Sequence, residues 1–217
     1  MDLFTAIQER KSVRAYLDKP VSRVLIEKVF TCAGSAPSAI NLQPWEFVAT
    51  HGEEKDRLVR RLKAAHRERR VSCGPGTESP LPQKYTERGR RALTVMEPAV
   101  GRLNIAFNRF IEEGSCSFYG APVAVIVTID RLFPAIRYLD VGLSVAYLML
   151  AAHAEGLATC PIGLILEYAE DISATLNISE DKRILLGISM GYEDPASPAN
   201  QFHTDREELA EILTWYE

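Results

Sequence analysis

The chain has 217 residues, 47% of them hydrophobic and 25% charged, with a formal net charge of −4. That length buries a full core within one domain, and the mild acidity excludes a protein that holds nucleic acid or an anionic membrane through its overall charge. The longest uncharged apolar run, residues 141–154, falls short of the roughly 20 residues of a membrane span, so no transmembrane segment is expected.

Taken in order, Asp2 caps a predicted first helix with Leu3, Phe4 and Ile7 at helical spacing. The stretch that leaves it, ERKSVRAY over 9–16, gathers Arg10, Lys11 and Arg14 around Ser12. In an extended segment Arg10, Ser12 and Arg14 point one way, and two guanidiniums with a hydroxyl match a phosphate in charge and donor geometry. The same cations would also serve as solvated partners of a helix C-terminal dipole, and both readings stand at this point. Ser22 caps a second helix that buries Leu25, Ile26, Val29 and Phe30. It leads into APSAINLQPWEFV, residues 36–48. Pro37, Ser38, Ala39 and Asn41 are small or polar, so backbone donors there could approach a flat ligand closely, and Asn41 and Gln43 add side-chain amides. An ordinary helix-to-strand loop favours the same residues.

WEFVATH reads as a strand and EEKDRLVRRLKAAHRER as a polar helix with Leu58, Val59 and Leu62 inward and its arginines in solvent. Residues 71–84, rich in Gly, Pro and Ser, form a long predicted loop of the kind that makes lids. Just beyond it, Tyr85 and Arg88 offer an aromatic ring and a cation to an aromatic acceptor. Two helices are predicted next, over 85–96 and 97–113, then a buried strand, PVAVIVTI. The helix over 140–156 is apolar nearly all round, which implies cover on all sides, and Gly156 ends it. RILLGISMGY is a second buried strand, residues 193–204 are irregular, and 205–217 is predicted as a closing helix. Helices dominate and the strands are dispersed, as in an α+β or mixed α/β sandwich.

Several motifs lead nowhere. GISMG at 187–191 matches G-x-S-x-G, and Ser189, Asp194 and His203 follow in hydrolase order. The sequence after Ser189 cannot open the required helix, so a serine hydrolase is the least favoured alternative. No Walker loop or G-x-G-x-x-G is present, so any nucleotide phosphate must be held by cationic side chains. The histidines His51, His66, His153 and His203 are dispersed, and no metal site is expected. Cys32, Cys73, Cys116 and Cys160 include no C-x-x-C pair. With no signal-peptide layout at the amino terminus, free thiols and a cytoplasmic location are expected.

The R-x-S-x-R of residues 10–14, followed by P-S-x-x-N-x-Q-P-W over 37–45, resembles the paired segments of the FMN-dependent nitroreductase family. Residues 138–163 resemble that family's long central helix and the short strand after it. Residues 185–195 resemble its last core strand, and 200–213 its carboxy-terminal basic segment. Only 65–115 has no clear counterpart, so the resemblance implies a single domain over 1–217 with a variable lid or excursion there.

The implied fold is an α+β three-layer sandwich, a central, mainly antiparallel sheet flanked by helices, in an intertwined homodimer with two FMN sites at the interface. Arg10, Lys11, Ser12 and Arg14 would hold the FMN phosphate and ribityl chain, and Arg206 would add a phosphate contact. Pro37, Ser38, Ala39 and Asn41 of the other subunit would lie against the isoalloxazine. Pro161, Ile162, Gly163 and Leu164 would run beside the ring, with the N–H groups of Gly163 and Leu164 near N5. His203 stands where the family often has a basic residue, implying a weaker or shared grip there. NADH or NADPH would reduce the FMN, and a small electron-poor acceptor, a nitroaromatic or quinone, would then be reduced in a ping-pong cycle. The reaction occurs on flavin N5, so no catalytic side chain is implied, and neither is a nucleic-acid or membrane partner. A flavin-binding protein without turnover is the alternative, since fold alone does not fix function.

Overall fold

The computed structural model describes residues 1–74, 77 and 79–217. Asp2 accepts a hydrogen bond from the Thr5 amide to cap α1 (Leu3–Glu9), and Ser22 accepts one from Leu25 to cap α2 (Arg23–Gly34), as their sequence positions predict. Next come β1 (Trp45–His51), α3 (Gly52–Arg69), α4 (Gln83–Gly101), α5 (Phe107–Cys116) and β2 (Val123–Asp130). After them lie α6 (Tyr138–Ala154), β3 (Ala158–Ile162), α7 (Ala169–Leu176) and β4 (Lys182–Gly191).

The strands form one antiparallel sheet in the order β1-β2-β4-β3. β2 lies between two neighbours and is buried on both faces, which is why its run is continuously apolar. Alternate residues feed two cores. Val123, Val125, Val127 and Ile129 pack with Ile26 and Val29 of α2 and Val141, Val145 and Leu148 of α6. Ala124 and Ile126 face Leu58 and Leu62 of α3 with Phe118, Tyr168 and Ile172. The result is the α+β sandwich that was expected, helices on either face of a central sheet.

Four sequence-based expectations need correction. Residues 205–217 are not a helix: a single 3-10 turn, Leu209–Glu211, interrupts an otherwise irregular tail. A short amphipathic helix gains its stability from packing its apolar face, and here Leu209, Ile212 and Trp215 are exposed. The two helices predicted over 85–96 and 97–113 divide elsewhere: α4 runs through Pro98 to Gly101, and the second helix, α5, begins only at Phe107. The proline falls in the last turn, where one lost backbone bond interrupts little. α7 is absent from the sequence-based reading, although Glu170 and Asp171 in its first turn and left-handed Asn177 at its end are ordinary helix signals. The apolar helical stretch reaches 20 residues, Ala135–Ala154, with a mean hydropathy of 1.4. It packs on the sheet through Val141, Val145 and Leu148 as a core helix does, but Leu139, Leu143 and Tyr147, spaced four apart, are left exposed.

Ser189 is a fully buried β4 residue whose hydroxyl lies 2.7 Å from that of Tyr16. No helix follows it, so the hydrolase alternative lacks its nucleophile elbow. The predicted loop over 71–84 ends two residues early, where Gln83 opens α4; up to Pro82 its described residues have no helix or strand, and Pro75, Gly76 and Glu78, which belong to the expected lid, lie outside them.

Candidate functional site

The arginine-rich segment is held extended by its neighbours. Ser12 forms a parallel bridge with Thr159 of β3, and the Val13 amide donates to the Thr159 carbonyl at 3.1 Å. The Arg14 amide donates to Asn200 Oδ1 at 2.9 Å, and Asn200 Nδ2 donates to the carbonyls of Ala15 and Asp194, both at 2.9 Å. Val13 is buried, which turns its neighbours Ser12 and Arg14 the other way. Buried Asn200 is thus the hub that fixes the segment. Sequence reasoning passed over it because Arg14 and Ala15, which it holds, lie some 185 residues away in the chain.

Arg10, Lys11, Ser12 and Arg14 line one cavity of about 580 Å³, together with His203, Thr204 and Arg206. Ile7 of α1, Phe202, and Met96 of α4 add apolar wall. Among the described residues, Arg10, Arg14 and Arg206 have no carboxylate within ion-pair distance. Burial, and next the Arg206 guanidinium, push the Arg10 pKa down, the mark of like charges crowded with no anion between them. Arg14 Nε is buried without a hydrogen-bond partner, and its guanidinium lies 5.9 Å from the Tyr119 ring centroid. Arg206 folds back to donate to the Thr204 carbonyl at 3.0 Å. Lys11 differs from its neighbours: its Nζ meets Glu193 at 2.9 Å and donates to the Asn200 carbonyl at 2.7 Å, so its charge is already neutralised within the fold.

Three unneutralised guanidiniums, an orphaned buried donor and a hydroxyl fit a phosphate monoester, and the cavity has the size of a cofactor or substrate pocket, about 300–1,000 Å³. The donor set therefore suits the phosphate end of FMN.

The other predicted residues fall elsewhere. Pro161–Leu164 close β3 and enter the next turn, on the strand that Ser12 joins. The Ile162 side chain is buried in the core, so only its backbone can face a ligand. A Cβ built on Gly163 would meet nothing within 4 Å, which leaves open space above that backbone. Pro37, Ser38, Ala39 and Asn41 do not line the cavity of their own chain. Pro37 and Asn41 are exposed, Ser38 accepts from the Gln43 amide at 3.0 Å, and Ile40, Asn41 and Gln43 all have positive φ. Three left-handed non-glycine residues in four positions are a costly backbone. Tyr85 and Arg88 also lie off the cavity wall: Arg88 sits 5.4 Å over the Tyr85 ring, and its Nε is 3.0 Å from Glu207.

A model of the nitroreductase family matches residues 7–192. The 4-nitrobenzoate reductase of Pseudomonas putida is 33% identical over 210 residues, an overlap of 95% of this chain and 92% of the relative. Nitroreductase NfnB of Mycolicibacterium smegmatis is likewise 33% identical over 210 residues, covering 94% and 88%. Among solved structures, the FMN and NADPH-dependent nitroreductase NfnB from Sphigopyxis sp. strain HMH superposes with a TM-score of 0.90 at 26% identity, over 100% of both chains. The FMN-dependent nitroreductase NfnB from Mycobacterium smegmatis in complex with NADPH superposes with a TM-score of 0.89 at 32% identity, over 99% and 97%.

Proposed function

This chain belongs to the nitroreductase family, and from that premise we propose that it is an FMN-dependent oxidoreductase that uses NADH or NADPH to reduce electron-poor aromatics, nitroarenes first among them and quinones as a second class. The observation that carries the reading is the cavity in which Arg10, Arg14 and Arg206 converge without a carboxylate. Arg10 and Arg206 bind the phosphate, Ser12 the adjoining chain, and half-buried Arg14 the far end of the segment. Lys11 contributes by fixing the backbone through Glu193 and Asn200. The backbone of Pro161–Leu164, on the strand paired with Ser12, flanks the ring. FMN, when bound, supplies the two-electron chemistry between nicotinamide and acceptor. The chain's own task is then to bind, orient and exclude water, and it needs no acid or base of its own.

The working form in this reading is a cytoplasmic homodimer in which Pro37, Ser38, Ala39 and Asn41 complete the site of the second copy. The exposure of Pro37 and Asn41 and the left-handed backbone of Ile40, Asn41 and Gln43 support this, as do the uncovered Leu139, Leu143 and Tyr147 stripe and the apolar tail. The excursion over 65–115, with exposed Tyr85 on α4, forms the acceptor side. Purified protein should be yellow, bleach anaerobically with NADH or NADPH, and regain colour on adding a nitroarene. A colourless protein that takes up no added FMN would overturn the reading.

A further inference from the structure

The phosphate-binding arginine of the tail has acidic neighbours on both sides, Asp205 and Glu207. In an irregular, extended stretch, successive side chains point to opposite sides. Arg206 faces the cavity, while its two neighbours meet α4. Arg88 Nε lies 3.0 Å from Glu207 Oε1, Arg91 reaches the same carboxylate with a guanidinium nitrogen, and Arg91 Nε lies 3.6 Å from Asp205. One turn further along α4 Met96 joins the cavity wall, and Arg102 just beyond the helix contacts Gln201 at 3.4 Å. The helix thus holds the tail along its length, with both acids drawn to its arginines.

We propose that Arg88 and Arg91 are positioning residues for cofactor binding: by holding and neutralising Asp205 and Glu207, they leave Arg206 as an uncompensated cation facing the phosphate. The proposal rests on the FMN reading. It changes the role of Arg88, whose guanidinium serves the phosphate end through Glu207 and does not contact the acceptor. The charge logic is direct. A carboxylate freed beside Arg206 would compete with the phosphate for that guanidinium and repel the phosphate itself. It also ties α4, within the expected excursion over 65–115, to cofactor retention.

The test is the ratio of FMN to riboflavin affinity, read from quenching of flavin fluorescence on titration with full-length apoprotein. Riboflavin shares the ring and ribityl chain but lacks the phosphate, so the ratio isolates the phosphate end. In R88Q/R91Q the ratio should fall about tenfold, the scale for two freed surface carboxylates beside one cation. Adding D205N and E207Q to that variant removes the competing charges and should return the ratio to the wild-type value, an outcome that no damage to packing would produce. An unchanged ratio in R88Q/R91Q overturns the proposal, as does a lowered ratio that D205N and E207Q fail to restore. Wild-type protein that binds neither flavin overturns the FMN reading, a result seen before any substitution is made.

Discussion

Arg10 bears two costs at once, partial burial and the nearby Arg206 charge, and both push its pKa down. An anion between the two guanidiniums relieves both. Arg10→Ala should therefore weaken FMN binding by about 1.5–3 kcal/mol, the scale of a charge-assisted hydrogen bond. Equal flavin retention by variant and wild type through a desalting column would refute this. The thiols divide by environment. Burial, with Glu112 and Glu113 adding to it, pushes the Cys116 pKa from 9.0 up to about 12, whereas Cys32 and Cys73 are exposed. The native state favours the neutral Cys116 thiol, so this contribution to stability is full below the unfolded pKa and declines as pH rises from 9 towards 12. Iodoacetamide at pH 8.5 should label Cys32 and Cys73 and spare Cys116 in the native protein; mass spectrometry showing equal labelling of all three would contradict it. That Arg10, Ser12 and Arg14 line one cavity was legible in the sequence, because their shared orientation lies in a local spacing. The different role of Lys11 was not, because its partners Glu193 and Asn200 arrive from the far end of the chain.

At the scale of elements, caps and periodicity carried most of the reading. β2 announced its burial by its apolar, β-branched run from Val123 to Val127, and α1 and α2 announced their starts by Asp2 and Ser22. Beyond the overlooked local signals of α7, what failed depends on packing that the local sequence does not show. The 205–217 segment has a helical pattern, but its apolar residues Leu209, Ile212 and Trp215 stay exposed. The acceptor role expected of Arg88 rests on its proximity to Tyr85 in the sequence; the fold adds a contact from its Nε to Glu207 at 3.0 Å. Tyr85 itself is 43% exposed, beneath the cations of Lys84 and Arg88. Tyr85→Ala should reorder the preference among nitroarene and quinone acceptors by about two- to tenfold, the scale of one aromatic contact, while leaving flavin content alone. An unchanged ranking across an acceptor panel would move the acceptor contact elsewhere.

At the scale of the whole molecule, the proposed division of the site between two chains makes a firm demand. Arg10→Ala damages one half-site and Asn41→Ala the other. Inactive parents mixed after reversible unfolding should regain at most about a quarter of wild-type activity, because random pairing about a two-fold axis makes half the dimers mixed, each with one intact site. Subunit exchange confirmed by tags, with no activity regained, would show that each site is built within one chain. The exposed tail also has an optical consequence. The chain has two tryptophans; Trp45 is 8% exposed at the start of β1, and Trp215 is 76% exposed near the carboxy terminus. With Trp45→Phe, tryptophan emission comes from the tail alone. Its maximum should sit at the long wavelength of a hydrated indole when subunits are dilute and move to shorter wavelength as they associate. A maximum that ignores concentration, while light scattering reports a change in mass, would mean that the tail stays in water in both states.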